Sequence, residues 1–120
     1  MLPWNCGYWR HVEPIRIIDV FAGPGGLNEG FSQFKNHDQI APFKIAGSFE
    51  MEQDAINTLL LRSVVRQLHE KDSNPNHDYL KFMKGEITLE EFYSLPNIEP
   101  LLEIAKAHVH KVELGEPTRA

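Results

Sequence analysis

The chain has one cysteine, Cys6, which excludes both an internal disulfide framework and a cysteine-based zinc cluster. No apolar run reaches the length of a membrane-spanning helix, so no membrane contact is expected. The opening stretch, MLPWNCGYWRHVEP, lacks the apolar core of a signal peptide, and the cytoplasm is the default compartment. Positive charge is scarce. Twelve Lys and Arg stand against 17 Asp and Glu, a net charge of −5, which is not the electrostatic footprint of a module that grips nucleic acid alone. The six histidines show no metal spacing: His108 and His110 do not share a helical face, and His37, His69 and His77 fall in or beside turns. No metal site is expected, and there is no internal repeat or low-complexity segment.

What is present is ordinary globular composition: 120 residues, 42% hydrophobic and 24% charged, enough for one domain with a modest core. Ile15 to Phe21, IRIIDVF, reads as a buried strand after Pro14. Leu27, Phe31 and Phe34 mark one face of a short helix. Lys44 to Met51 reads as a second strand. Gln53 to Glu70 reads as a strong helix with two apolar rows, Ile56–Leu60–Val64 and Leu61–Val65–Leu68. DSNPNH then breaks the pattern. This order is a βαβα unit with two parallel strands, the way a doubly wound sheet begins.

The last third differs. Tyr79 to Met83 reads as a short helix, and Thr88-Leu89-Glu90-Glu91 matches a capping box. Ile98 to Val112 reads as a further helix with Leu101, Leu102, Ala105 and Val109 on its apolar side. No third strand is expected. The organisation is thus residues 1–14 as an N-terminal extension, 15–72 as the βαβα unit, and 73–120 as a helical segment of an incomplete domain.

The stretch between strand and helix, IDVFAGPGGLNEGF, holds four of the eight glycines. After a strand, glycines let the backbone turn sharply and approach a ligand closely, and the amides of the following helix attract anions. The dinucleotide fingerprint G-x-G-x-x-G is met at Gly23 and Gly25 but fails at Asn28; a P-loop needs a lysine that is missing. Glu50 closes the second strand, where doubly wound folds place an acidic residue against ribose hydroxyls. Together these features suit an adenosine-bearing cofactor without a pyrophosphate, and S-adenosylmethionine is such a molecule.

Asp19-Val20-Phe21-Ala22-Gly23-Pro24-Gly25-Gly26-Leu27, followed by Gly30-Phe31, resembles the first signature motif of the DNA cytosine-5 methyltransferases, close to D-[LV]-F-[AS]-G-x-G-G. Gly47-Ser48-Phe49-Glu50-Met51 resembles the second. The resemblance covers about residues 15 to 68. It implies an α/β fold, the N-terminal part of a Rossmann-like S-adenosylmethionine-dependent methyltransferase, here with a helical C-terminal third. By position, it implies that Phe21 packs near the adenine and ribose. Ala22, which the pattern also contains, falls in the cofactor-binding stretch. Gly23, Pro24, Gly25, Gly26 and Leu27 would line the methionine end, and Glu50 would bind the ribose hydroxyls. Met51 stands where the family often has a larger hydrophobic residue. Asp19 would support the loop from behind.

The family transfers a methyl group to carbon 5 of cytosine in double-stranded DNA, on a base flipped out of the helix. Its catalytic Pro-Cys and Glu-Asn-Val motifs do not occur here, and Cys6 is not preceded by proline. No catalytic residue is therefore assigned. The chain reads as the N-terminal cofactor-binding piece of a longer DNA methylation enzyme, a transferase of a restriction–modification system, and is itself expected to be inactive. The alternatives are another S-adenosylmethionine-dependent methyltransferase, acting on RNA or a small molecule, or a non-catalytic interaction module. In the family's sheet the first strand is central. Here one edge of it would lack its neighbour, so self-association through that edge, or its cover by a terminal segment, is expected.

Overall fold

A computed structural model describes residues 13–72, 74–113 and 115. Cys6 and nearly all of the expected N-terminal extension lie outside the described residues. The first strand, β1, is Ile15–Val20, and α1 is Gly26–Gln33. Then follow β2 (Phe43–Glu50) and the long α2 (Gln53–Lys71). Three shorter helices, α3 (His77–Met83), α4 (Leu89–Tyr93) and α5 (Glu99–His108), lead into β3 (Val109–Lys111). The architecture is α/β.

The three strands are parallel and lie in the order β1-β2-β3. β3 corrects the sequence reading, which carried a helix through to Val112 and expected no third strand. The helix stops at His108, and Val109 turns to extended backbone at φ −105°, ψ 120°. From there Val109, His110 and Lys111 pair with Ser48, Phe49 and Glu50. The run VHKV carries two β-branched residues, which suit a pleated surface. The free edge of β2 offers a ladder that one more helical turn could not use.

A sequential strand order with right-handed crossovers places the connecting helices on one face of the sheet. That face carries Asp19 and its register partner Ser48, and Asn28 of α1 donates from Nδ2 to Ser48 Oγ at 2.8 Å. The opposite face carries Ile18 and Val20, 65% and 49% exposed. There Phe49 stacks on His110 with ring centroids 5.0 Å apart. The strand alternation thus puts apolar side chains on a face that no described helix covers.

The core has two parts. Val64, Phe92, Ile98, Leu101, Leu102 and Ala105 form the larger, between α2 and the helices that follow it. Full burial of Phe92 or Ile98 contributes about 1.5–3 kcal/mol each by removal of apolar surface from water. Ala22, Ile56 and Leu59 form the smaller part, directly beneath the glycine loop, with Leu60 and Val109 against it. The capping box forms at Thr88 as read: Glu91 N–H donates to Thr88 Oγ1, and Thr88 N–H donates to the Glu91 carboxylate.

Candidate functional site

The glycine loop spans the gap from β1 to α1 at the carboxyl ends of the strands, where open α/β sheets bind ligands. Its backbone alternates in hand. Phe21, Gly23 and Gly25 take φ of 58°, 56° and 91°. Glycine adopts this region freely, but Phe21 does not, and it holds the conformation at a cost of about 1–3 kcal/mol. Burial does not repay that cost, because the Phe21 side chain is 73% exposed.

Two points fasten the loop to the sheet and to α2. Ala22 N–H donates to Phe49 O at 3.1 Å, and the Ala22 side chain is buried against Ile56 and Leu59. Gly25 closes a turn by donating from N–H to Ala22 O at 3.2 Å. A Cβ on Gly25 would stand 2.7 Å from Leu59 Cδ2, so glycine is required there for space as well as for φ. Sequence reading did not single out Leu59. It lies off the two rows read on α2, yet it is buried because the loop settles on it.

Gly26 is different. A Cβ there would meet no atom within 4 Å, and nothing in the folded chain demands a glycine at this position. Its open side suits close approach of a ligand. Gly25 is the N-cap of α1 and has no side chain with which to cap. The first amides of α1, from Gly26 onward, are therefore left as donors at the positive end of the helix. Leu27 and Met51, in the first turn of α1 and just after β2, are exposed apolar groups, as is Phe21.

Glu50 ends β2 and accepts three backbone hydrogen bonds. Gly23 N–H donates to Oε2 at 2.6 Å, and Met51 N–H and Glu52 N–H donate to Oε1 at 2.8 and 3.1 Å. Those from Glu52, Gly23 and Met51, in that order, hold the carboxyl below its ordinary pKa. Asp19 goes the other way. It is 7% exposed, and burial, with the Glu50 charge as a lesser cause, raises its pKa. Asp19 Oδ2 and Asn28 Oδ1 find no hydrogen-bond partner among the described residues. The two carboxyls are thus pushed apart, Glu50 toward a fixed anion and Asp19 toward holding its proton.

Phe21, Ala22, Gly23, Pro24, Gly25, Gly26 and Leu27 therefore form one continuous turn, to which Glu50 is joined through Gly23, with Met51 next in the chain. Ala22 and Gly25 face inward and build the turn. Phe21, Gly26, Leu27 and Met51 leave surface outward. The buried Asn28–Ser48 pair, which sequence reading missed, ties α1 to β2 behind the turn. The only signal for it was an asparagine where a dinucleotide fingerprint has its third glycine. As an assembly of donors, one anionic acceptor and exposed apolar groups, the site is suited to holding a ligand. Among the described residues no group of three His, Cys, Asp or Glu comes together as a metal site, and no helix is long and apolar enough to cross a membrane. Compared with protein-family models, with curated proteins and with solved structures, the chain matches none.

Proposed function

We propose that this chain is the cofactor-binding portion of a DNA cytosine-5 methyltransferase and that the glycine loop with Glu50 is its seat for S-adenosylmethionine. The observation that carries the reading is the Gly23–Glu50 hydrogen bond, which ties the carboxylate to the turn that leads into Gly26. A helix-opening glycine with open space before it stands beside the turn that an ionised carboxylate joins from the next strand. An acceptor-only carboxylate matches the hydroxyl donors of a ribose. The uncapped amides of α1 match the methionine carboxylate. Phe21 and Met51 offer apolar surface to the adenine, with methionine filling by shape the place of a larger side chain. The cofactor supplies an activated methyl group. In the whole enzyme double-stranded DNA would be the acceptor, within a restriction–modification system.

Calorimetry of the full chain with S-adenosylmethionine and S-adenosylhomocysteine tests the donor seat. Binding of both is expected, with at least a tenfold loss in Gly26→Val, because a branched side chain would fill the space before α1. Binding of a dinucleotide in preference to both would overturn the reading. No transfer of tritiated methyl to DNA is expected from this chain by itself.

A further inference from the structure

A carboxylate offers about four acceptor directions, two on each oxygen. On Glu50 three are occupied, both on Oε1 by Met51 and Glu52 and one on Oε2 by Gly23. A ribose diol brings two donors, and only one direction remains. Gly23 N–H is itself a loop donor that the anionic end of a ligand could use, and Glu50 has it.

We propose that the Glu50–Gly23 hydrogen bond is a latch, opened when a diol on Glu50 and an anion on the loop amides are engaged together. This rests on the donor-seat reading above and concerns how that seat is regulated. The movable part is short. Ala22 is fixed by Phe49 O and by burial, and Gly25 is fixed against Leu59. Between them Gly23 and Pro24 span the gap, and a Cβ on Gly23 would meet nothing within 4 Å. Rotation of the Ala22–Gly23 peptide moves the Gly23 N–H from Oε2 toward the mouth of the loop and releases the Gly25 N–H from Ala22 O, while the Ala22 N–H stays on Phe49 O. A diol that puts both donors on Glu50, or an anion that takes the Gly23 N–H, must alone break the bond for one new contact, whereas the two together break it once for two. The halves therefore favour each other's binding, and reciprocally.

Among the described residues, Asp19 of β1 is coupled to the Glu50 charge, Glu52 at the head of α2 donates its backbone N–H to the carboxylate, and Lys111 of β3 lies beside Glu50 in the sheet. Lys111 is the register partner of Glu50, with its Nζ donating to Gln53 Oε1 at 2.9 Å. The amide donors to Glu50 lower its pKa.

Nuclear magnetic resonance on the ¹⁵N-labelled full chain tests the latch. Without ligand, the Gly23 amide resonance should titrate with Glu50 at acid pH, and Glu50→Gln should abolish that titration. Saturating methionine should tighten adenosine binding at least about fivefold, with the reverse effect equal and both lost in Glu50→Gln. S-adenosylhomocysteine should displace the Gly23 amide resonance from its latched position. If S-adenosylhomocysteine binds but adenosine and methionine bind independently, or the Gly23 resonance does not move, the latch is wrong and the donor seat stands. If S-adenosylhomocysteine does not bind at all, both fall.

Discussion

Leu59 Cδ2 sits 2.7 Å from the place where a Cβ on Gly25 would stand, so only glycine fits where the loop lies on α2, with Ala22 packed on Ile56 and Leu59. Gly25→Ala must strain a φ of 91° and displace Leu59, so a loss of about 2 kcal/mol or more in unfolding free energy is expected. Gly26→Ala meets no neighbour and adds a better helix former, so its stability should hold or rise by up to about 1 kcal/mol. Urea midpoints at constant m measure both. Equal losses in the two variants would contradict the division of roles between these glycines.

Phe21 presents the opposite case, a residue whose conformation costs stability while its side chain lies in water. Phe21→Gly removes the strain along with the ring. Its unfolding free energy should stay within about 1 kcal/mol of the parent, although core Phe→Ala changes cost about 3–5 kcal/mol. Affinity for an adenosine-bearing ligand should fall. A large loss of stability would mean that the ring packs in the fold.

Asp19 and Glu50 give pH effects of opposite sign. The folded pKa of Asp19 is raised above its ordinary 3.8, so its contribution is full below that value and is lost as pH rises through the folded pKa. Asp19→Asn should therefore raise Tm at pH 7, with a gain that shrinks toward pH 3. The Glu50 pKa is lowered from 4.5, so its contribution is full above that value and is lost as pH falls through the folded pKa. Glu50→Gln should lower Tm at pH 7 and lose that effect in acid. Thermal unfolding across pH reads both.

The uncovered face of the sheet makes a separate prediction. β1 has β2 as its only neighbour among the described strands, and Ile18 and Val20 are exposed beside that free edge. Sedimentation across a concentration series should show self-association that Ile18→Lys reduces, with the circular dichroism spectrum unchanged. A parent that stays monomeric throughout would remove the need for a partner at this edge.

At the start of α4, Thr88→Ala removes one side of the capping box and leaves the Glu91 N–H without its acceptor. A loss of about 1 kcal/mol is expected from the urea midpoint. No change would mean that α4 is held by Phe92 burial alone.

Several elements were legible because their signals are local. IRIIDV, the glycine run and the capping box each fix nearby backbone through residue type, and β1, the turn and α4 lie there, although β1 is largely exposed and not the buried strand its apolar run suggests. The second strand and α2 were legible for the same reason. The third strand was not, because AHVHKV continues the helical spacing of Leu101, Leu102 and Ala105. What ends the helix is the free edge of β2, far away in sequence. Leu59 escaped for a related reason, since the surface that buries it is a loop whose position depends on β1.

By itself the sequence determined where glycine permits a left-handed turn, which segments alternate or wind, and that Glu50 closes the second strand. These are properties of single residues and short spacings. Tertiary structure decided that Glu50 spends three acceptor directions on backbone amides, one of them from Gly23, 27 residues away in the chain. It also decided which face of the sheet stays bare. The strand order β1-β2-β3 puts the crossovers on one side and leaves Ile18 and Val20 outward. Both outcomes come from contacts between distant segments, which no local pattern specifies.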